Sequence, residues 1–276
     1  MSLRYAYNTN GCANHRLDDA LSFIADAGYD GVALTLDIHH LDPFADGWAE
    51  EAECVGRRLR ALRLGSVIET GARFLLDPRD KHEPTLVTAA AEGRARRVDF
   101  LKRAVDIAAI LGSEAVSFWA GVPKPGVDRE AARGWLRKGL EQVVAHAQAR
   151  GVTPAFEPEP GMLVETAAEW EALGVEGLQL ALDTGHCIVT QDIDPAEAVR
   201  LYADRLGTVA LEDMRRGVHE HLPFGQGDMD VPSVLSALEE INFPKLVCVE
   251  LSRESPRAHL AIPESIAWLK AHEGAA

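Results

Sequence analysis

Four acidic residues stand at the ends of short strand-like segments in the second half of the chain. They are Glu157, Asp183, Glu212 and Glu250. Small and large residues alternate in each segment, and because side chains alternate between the two faces of a strand, the acid shares its face with the small residues. The small residues are Ala155, Ala181, Thr208, Ala210 and Cys248. A small face that ends in an acid is typical of a strand that lines a narrow barrel and packs against helices outside.

The four acids are expected to converge at the carboxyl-terminal mouth of such a barrel, where barrel enzymes carry their chemistry. Asp37, Glu69 and Trp119 fall at the same predicted location on earlier segments, and they are candidate substrate-binding residues. Several carboxylates around one cavity repel each other on the kcal/mol scale unless a cation lies among them. The alternative, an acid that is merely solvated at a strand end, fits any single residue better than it fits the whole set.

Two histidine motifs strengthen the prediction of a cation. His186 follows Asp183 by three residues in a DTGH turn, and His219 and His221 lie two residues apart in HEHLPFGQGD. Carboxylate oxygens combined with imidazole nitrogens suit zinc, manganese, iron or cobalt better than magnesium. The sequence therefore predicts a divalent metal ion as cofactor, with zinc or manganese preferred over iron or cobalt.

Strand-like and helix-like segments alternate along the whole chain. The predicted strands are 4–10, 31–37, 66–71, 114–121, 153–157, 178–183, 207–214 and 245–252. The predicted helices are 17–27, 48–64, 89–111, 128–150, 165–173, 195–206, 231–241 and 263–272. Such alternation favours an α/β fold with a parallel eight-stranded core, a (β/α)₈ TIM barrel that forms a single domain over 1–276. An open doubly wound sheet is the alternative, but NTNGCANH replaces the expected glycine-rich nucleotide loop after the first strand.

Composition and charge narrow the classes of partner. The hydrophobic content of 47% is ordinary for a globular protein with a sizeable core, and the net charge of -15 argues against a nucleic-acid partner. The four cysteines show no CxxC spacing, and no basic-then-apolar leader or membrane-length apolar run is recognised. A cytoplasmic protein without a membrane partner is expected. A homo-oligomer is left open. The long charged segment ARFLLDPRDKHEPT is predicted to be a functional loop or lid.

Four motifs together resemble the xylose isomerase-like TIM barrels, a superfamily of sugar and sugar-phosphate isomerases and epimerases that includes the type IV AP endonucleases and inosose dehydratases. They are FEPEPG, LDTGH, LEDMRRGVHEHLPFGQGDMD and VELS, and the resemblance covers essentially the whole chain. It implies a metal-dependent isomerase or epimerase that acts on a small polyhydroxy carbonyl substrate through an enediolate. Glu157 and Glu250 would then be the catalytic base and acid on opposite faces of the substrate.

The resemblance also implies substrate-binding roles for one aromatic and two basic residues, and each of these residues has a simpler structural explanation as well. Trp119 would offer an apolar wall to a sugar, although a packing role fits equally well. Arg215 and Arg253 stand in mouth-side loops and would bind a phosphate or carboxylate, although each is also an ordinary candidate for a solvated surface charge.

The resemblance leaves two metal subsites open. Ketose epimerases of this superfamily hold their metal by a Glu, an Asp, a His and a second Glu, and the matching positions are Glu157, Asp183, Ala210 and Glu250. Ala210 departs from this pattern, and Glu212 on the same face would substitute with a different reach. The endonucleases hold a further metal at positions that match His186, His219 and His221.

Three rival functions remain. A metal-dependent dehydratase or lyase needs the same stabilisation of an enolate. A type IV AP endonuclease is disfavoured because Glu69 and Trp119 replace two of its histidines and because no basic DNA-facing surface is evident. A non-catalytic barrel that binds a sugar-like ligand is the third, and it is favoured by Ala210 at the position of a metal-binding histidine.

Overall fold

The computed structural model describes residues 2–274, and a closed barrel of eight parallel strands forms its centre. The barrel strands are β1 (Arg4–Asn8), β2 (Gly31–Thr35), β3 (Gly65–Glu69), β4 (Val116–Phe118), β5 (Pro154–Phe156), β6 (Gln179–Asp183), β7 (Leu206–Leu211) and β10 (Leu246–Val249). Two further strands, β8 (Asp213–Arg215) and β9 (Val218–Leu222), form a separate sheet. The barrel order is β1-β10-β7-β6-β5-β4-β3-β2, and β1 pairs with β2 to close it. The predicted (β/α)₈ barrel is confirmed. Residues 1 and 275–276 of the predicted domain lie outside the described range.

Helices surround the barrel and follow its strands. Within residues 2–274 they are α1 (Leu17–Ala27), α2 (Trp48–Leu62), α3 (Ala91–Leu111), α4 (Arg129–Arg150), α5 (Ala167–Ala172), α6 (Thr184–Thr190), α7 (Pro195–Leu201), α8 (Val231–Glu240) and α9 (Ala258–His272). Gly28 and Gly112 end α1 and α3 with φ of 89° and 70°, a left-handed conformation that glycine adopts at little cost. In this part of the chain every helix is too short or too polar to cross a membrane.

The barrel interior is filled by small side chains, as the alternation in the sequence predicts. The buried interior cluster comprises Ala6, Ala33, Val67, Ala115, Ala155, Ala181, Leu246 and Cys248. The large residues of the same strands, such as Phe156 and Leu180, belong to the outer core between strands and helices. Because Glu157, Asp183 and Glu250 continue the small face, their side chains are directed to the carboxyl-terminal mouth.

The DTGH motif, predicted to be a turn, forms the start of a helix. It begins helix α6, and the Asp183 carboxylate caps this helix by accepting a hydrogen bond from the His186 backbone N–H at 3.0 Å. His186 therefore projects from the first turn of a helix and not from an irregular loop. The last helix also begins earlier than predicted, at Ala258, with Pro263 inside it.

A short hairpin follows β7 where the sequence predicts the end of a strand and a loop. Strands β8 and β9 pair antiparallel, with Arg215 opposite Val218. Gly217, with φ of 69°, lies in the two-residue turn between them, where a left-handed residue favours the tight reversal of a hairpin. The hairpin places the HEH motif on β9 beside the barrel mouth.

Candidate functional site

The barrel strands open at their carboxyl ends into a cavity of about 570 Å³. Its walls include four carboxylates, Glu69, Glu157, Glu159 and Glu250, and the ring of Trp119. Small-molecule sites in proteins commonly have volumes of about 300–1,000 Å³. Glu157 and Glu250, two of the four acids predicted to converge, therefore line a cavity of sugar-sized volume.

Asp183 and His186 are held in fixed orientations at the junction of β6 and α6. The His186 Nδ1 lies 2.9 Å from the Pro158 carbonyl oxygen, which fixes the proton on Nδ1 and directs Nε2 to the cavity. This Nε2 lies 3.3 Å from Asp183 Oδ2. Both side chains are buried, so their geometry is set by the protein and not by solvent.

The hairpin strand β9 brings two more imidazoles to the same place. His219 Nε2 lies 3.1 Å from His186 Nε2 and 3.7 Å from Glu159 Oε1. His221 Nδ1 lies 3.9 Å from Glu212 Oε1. Because residues two apart on a strand share a face, one short strand delivers both side chains. The predicted histidine cluster is thus assembled together with three carboxylates.

Several buried atoms in this cluster have no hydrogen-bond partner. They are Asp183 Oδ2, both carboxylate oxygens of Glu212 and His221 Nδ1. An unsatisfied buried polar group costs about 1–3 kcal/mol, and an unpaired charge costs more. Three groups of side chains have ligand atoms within 4.8 Å of one another: Glu159–His186–His219, Glu157–Asp183–His186 and Asp183–Glu212–His221. The orphaned atoms and the mixed oxygen and nitrogen donors fit a divalent metal ion.

Burial and mutual repulsion shift the pKa values of the acids. Burial, then the charges of neighbouring acids, raise the pKa of Glu250 to about 7 and hold the pKa of Glu157 and Glu212 well above the ordinary value. Burial also acts to raise the pKa of Asp183, but the neighbouring His186 and the other groups around it outweigh burial and lower that pKa. Without a cation, repulsion between neighbouring carboxylates thus favours an ionised Asp183 beside protonated glutamates.

Asn10, which the sequence analysis did not single out, positions Glu250. Its Nδ2 donates a hydrogen bond of 2.8 Å to Glu250 Oε1, and its own Oδ1 is buried without a partner. The side chain lines the same cavity. The NTN motif at the end of the first strand was the signal in the sequence, and it does not distinguish a site residue from a turn residue.

Trp119 forms a rigid wall of the cavity. Its ring packs under the guanidinium of Arg97, which lies 4.3 Å from the ring centre, and meets the His82 ring edge-on at 5.3 Å between centres. Arg97 is itself buried and donates to the Thr70 carbonyl oxygen at 3.0 Å. Such a fixed aromatic face is suited to stacking against a ligand.

Other predicted substrate-binding residues have different placements. Glu69 and Arg253 line the cavity, and Arg253 pairs with Glu220 at 2.6 Å. The structure does not bring Asp37 and Arg215 to the cavity wall. Asp37 lies two residues beyond the end of β2 and accepts a hydrogen bond from the backbone of the next residue, while Arg215 is exposed on the hairpin.

The segment after β3, predicted to be a functional loop, does reach the mouth. Its side chains Arg73, Lys81 and His82 line the cavity. Glu159 is the further residue that belongs to the metal-competent cluster without appearing among the predicted ligands. The signal for it was its position two residues after Glu157 in FEPEP.

Asp213 anchors the hairpin that carries the two histidines. Its carboxylate accepts hydrogen bonds from the backbone N–H groups of Gly225, Gly227 and Met229 at 2.9, 2.8 and 3.1 Å. A Cβ at Gly227 would lie 2.2 Å from Asp213 Oδ1, so the loop approaches this closely only with glycine there. Asp213 is therefore a positioning residue for β9.

We expect Asp213→Ala to lower the free energy of unfolding by at least about 3 kcal/mol, because three backbone N–H groups lose a buried charged acceptor. Urea unfolding followed by circular dichroism measures the change. Asp228→Ala is the matched control, since the exposed Asp228 carboxylate accepts one hydrogen bond, from the Arg216 backbone. An equal effect of both substitutions would contradict the anchoring role.

Known proteins similar to this chain are sugar-modifying enzymes and a zinc-bound barrel. Over 145 residues the chain is 28% identical to the inosose dehydratase of Geobacillus kaustophilus (strain HTA426), and the match covers 45% of this chain and 47%, about half, of that protein. The structure of L-ribulose 3-epimerase is 20% identical with a TM-score of 0.79, covering 99% of this chain and 95% of that chain.

Two further structures share the fold. The D-allulose 3-epimerase of Methylomonas sp. in complex with D-allulose is 18% identical with a TM-score of 0.74, over 98% of this chain and 97% of that chain. The IolI protein with a bound zinc atom is 18% identical with a TM-score of 0.77, over 99% of both chains. At these identities the similarity shows the fold alone. The family profile described as xylose isomerase-like TIM barrel matches residues 13–272, and the chain belongs to this family.

Proposed function

We propose that the protein is a metal-dependent isomerase or epimerase of a sugar or sugar phosphate, a small polyhydroxy carbonyl compound. The observation that carries the proposal is that Glu157 and Glu250 line one sugar-sized cavity beside a cluster of metal-competent side chains. L-ribulose 3-epimerase and D-allulose 3-epimerase, which share the fold, support a sugar as substrate. The candidate ligands are Glu157, Asp183, His186, Glu212, His219, His221 and Glu250.

The residues of the chain divide the proton transfers between them. A bound divalent ion would polarise the substrate carbonyl and adjacent hydroxyl oxygens. Glu157 and Glu250 then act on the two faces of the substrate, one removing the α-proton and the other returning a proton. The pKa of Glu250, raised to about 7 chiefly by burial, suits a group that both accepts and donates near neutral pH. Trp119 provides the apolar wall that orients the substrate and excludes water.

A dehydratase is the second candidate, and the similarity to an inosose dehydratase favours it. Removal of water from a polyhydroxy ketone begins with the same abstraction of an α-proton. The two reactions then differ in whether the second carboxyl returns a proton to carbon or donates one to a departing hydroxyl. The same two acids serve in either case.

We further propose that residues 1–276 form one domain, and that the protein is cytoplasmic and acts on a diffusible substrate. The net charge of -15 supports a partner other than nucleic acid.

Incubation with D-allulose, L-ribulose, D-tagatose and an inosose in deuterated water, with zinc or manganese added, tests the function. We expect exchange of the α-proton in at least one sugar, visible by nuclear magnetic resonance. Formation of the epimer or isomer would identify the first candidate, and loss of water would identify the dehydratase. Saturable binding of a sugar without exchange would replace both with the non-catalytic barrel.

A further inference from the structure

Position 210 lies in the middle of the candidate site but offers no ligand atom. Ala210 is opposite Asp183 on β6 and Cys248 on β10, and its methyl group faces the narrow space below the mouth. That space holds only about 20 Å³, roughly the volume of one water molecule. The imidazole that the resemblance to ketose epimerases places here is absent, so a metal ion needs another ligand.

Glu212 brings a carboxylate to the cluster from two residues farther along the chain. Its side chain is completely buried, and neither oxygen has a hydrogen-bond partner. A Cβ at Gly185 would lie only 2.3 Å from Glu212 Oε1, so the carboxylate occupies space that the glycine of DTGH leaves free. A buried acid in a fitted space without a partner is costly unless something absent from the chain satisfies it.

Asp183 and His221 bring their own unpartnered atoms close to the Glu212 carboxylate. Asp183 Oδ2 and His221 Nδ1 lack hydrogen-bond partners, and with Glu212 their ligand atoms lie within 4.8 Å of one another. An ion with ligands at about 2.1 Å separates neighbouring ligand atoms by about 3.0–4.2 Å. The 3.9 Å between His221 Nδ1 and Glu212 Oε1 lies within that interval. This pair is thus spaced to share one ion, and Asp183 lies close enough to join it.

The neighbouring cluster of Glu159, His186 and His219 is satisfied without an ion. His186 Nδ1 bonds to the Pro158 carbonyl oxygen, and its Nε2 bonds to His219 Nε2 at 3.1 Å. Glu159 and His219 also reach solvent, with side-chain exposures of 19% and 32%, whereas the side chains of Asp183 and Glu212 have 1% and 0%. The carboxylates of Asp183 and Glu212 are therefore less accessible to water than the side chains of the first cluster.

We infer that this chain holds its divalent metal at a displaced site formed by Asp183, Glu212 and His221, with Glu212 and His221 replacing the ligand missing at position 210. The inference rests on the proposed function only in placing the ion beside the substrate cavity. It assigns the donor set as two carboxylates and one imidazole, which suits zinc or manganese. It also leaves Glu157 and Glu250 free of the metal, so that both can transfer protons.

Titration of the chelator-treated protein with zinc chloride by calorimetry tests the site, and absorption by added cobalt gives an independent signal. We expect Glu212→Gln and His221→Gln each to raise the zinc Kd by at least about 100-fold, since loss even of a residue that only supports a ligand costs about 10–100-fold. The matched controls Glu159→Gln and His219→Gln should change the Kd by less than about 5-fold. Melting by circular dichroism verifies that each variant is folded.

A second pair of variants changes none of the proposed ligand residues. Gly185→Ala should weaken zinc binding by at least about 10-fold, because the added methyl displaces the Glu212 carboxylate. Gly134→Ala in α4 is its control, since a Cβ there meets no atom within 4 Å. Loss of binding in Glu159→Gln and His219→Gln but not in Glu212→Gln would overturn the inference, as would a wild-type protein that binds no zinc. Zinc bound at this site in a protein that exchanges no sugar proton would refute only the proposed function.

Discussion

Glu250→Gln is expected to lower kcat by at least about 10³-fold while leaving the barrel folded. Glutamine has the shape of glutamate but cannot accept or deliver the α-proton, and general acid–base catalysis contributes about 10²–10⁴-fold. The introduced amide oxygen can still accept the hydrogen bond that Asn10 donates to Glu250. Fewer acidic groups in one cavity also mean less repulsion. The melting temperature should therefore stay the same or rise.

Proton exchange separates the roles of the two acids. If Glu157 and Glu250 serve opposite faces of the substrate, each single variant retains one base. Glu157→Gln should still exchange the α-proton of one epimer in deuterated water, and Glu250→Gln should exchange only that of the other. Neither variant should interconvert the two epimers.

The measurement is deuterium incorporation by nuclear magnetic resonance, with each epimer as the starting compound. Glu176→Gln is the control because this glutamate is exposed in a turn far along the chain from both acids. Interconversion at the wild-type rate by either acid variant would remove the two-carboxylate mechanism. Loss of exchange from both epimers in both variants would mean that one acid binds substrate without moving a proton.

The alternation of small and large residues was enough to predict the barrel and the convergence of its acids. Ala155, Ala181 and Cys248 lie in the interior cluster, as their phase predicts, and Glu157 and Glu250 line the mouth. This works because a strand with two different faces permits only one orientation in a closed barrel.

The alternation does not predict the direction of side chains that lie beyond the end of a strand. Strand β2 ends at Thr35, so Thr35 lines the cavity and Asp37 turns away to its own loop. The phase of a strand predicts side-chain direction only while the backbone remains extended. Arg215, predicted to stand in a mouth-side loop, instead ends the hairpin strand β8 and is exposed.

Contacts between segments far apart in sequence were also beyond prediction. The distance from His186 to His219 depends on the β8–β9 hairpin, which the carboxylate of Asp213 anchors to a loop 12 to 16 residues away. Neither the hairpin nor the capping of α6 by Asp183 has a periodic signal. The residue types in the metal-competent cluster were predictable, but which of them share an ion depends on these contacts.

Zinc should reverse the order of stability of wild type and Glu212→Gln. In the chelated protein Glu212 is a buried acid without a partner, and an amide at that position can donate a hydrogen bond to the unpartnered Asp183 Oδ2. Chelated Glu212→Gln should therefore be at least as stable as chelated wild type. If Glu212 served only to stabilise the fold, chelated Glu212→Gln would be less stable than chelated wild type.

Zinc should invert this order. A ligand at 100 times its Kd stabilises the folded state by about 2.7 kcal/mol, which raises the melting temperature by about 5–10 °C in a chain of this size. Wild type should show that rise, and Glu212→Gln should show less than about 2 °C. Thermal melting with and without chelator measures both orders, and Glu176→Gln should follow wild type in each.

The reversal of the stability order between chelated and zinc-loaded protein is the decisive observation, because it distinguishes a metal ligand from a structural acid. A structural acid loses stability when it is replaced, whether or not zinc is present. A ligand that is strained without its ion gains stability on replacement and loses the response to the ion. If chelated Glu212→Gln were less stable than chelated wild type by more than about 2 kcal/mol, the carboxylate would have a partner within the fold. Its burial would then need no metal to explain it.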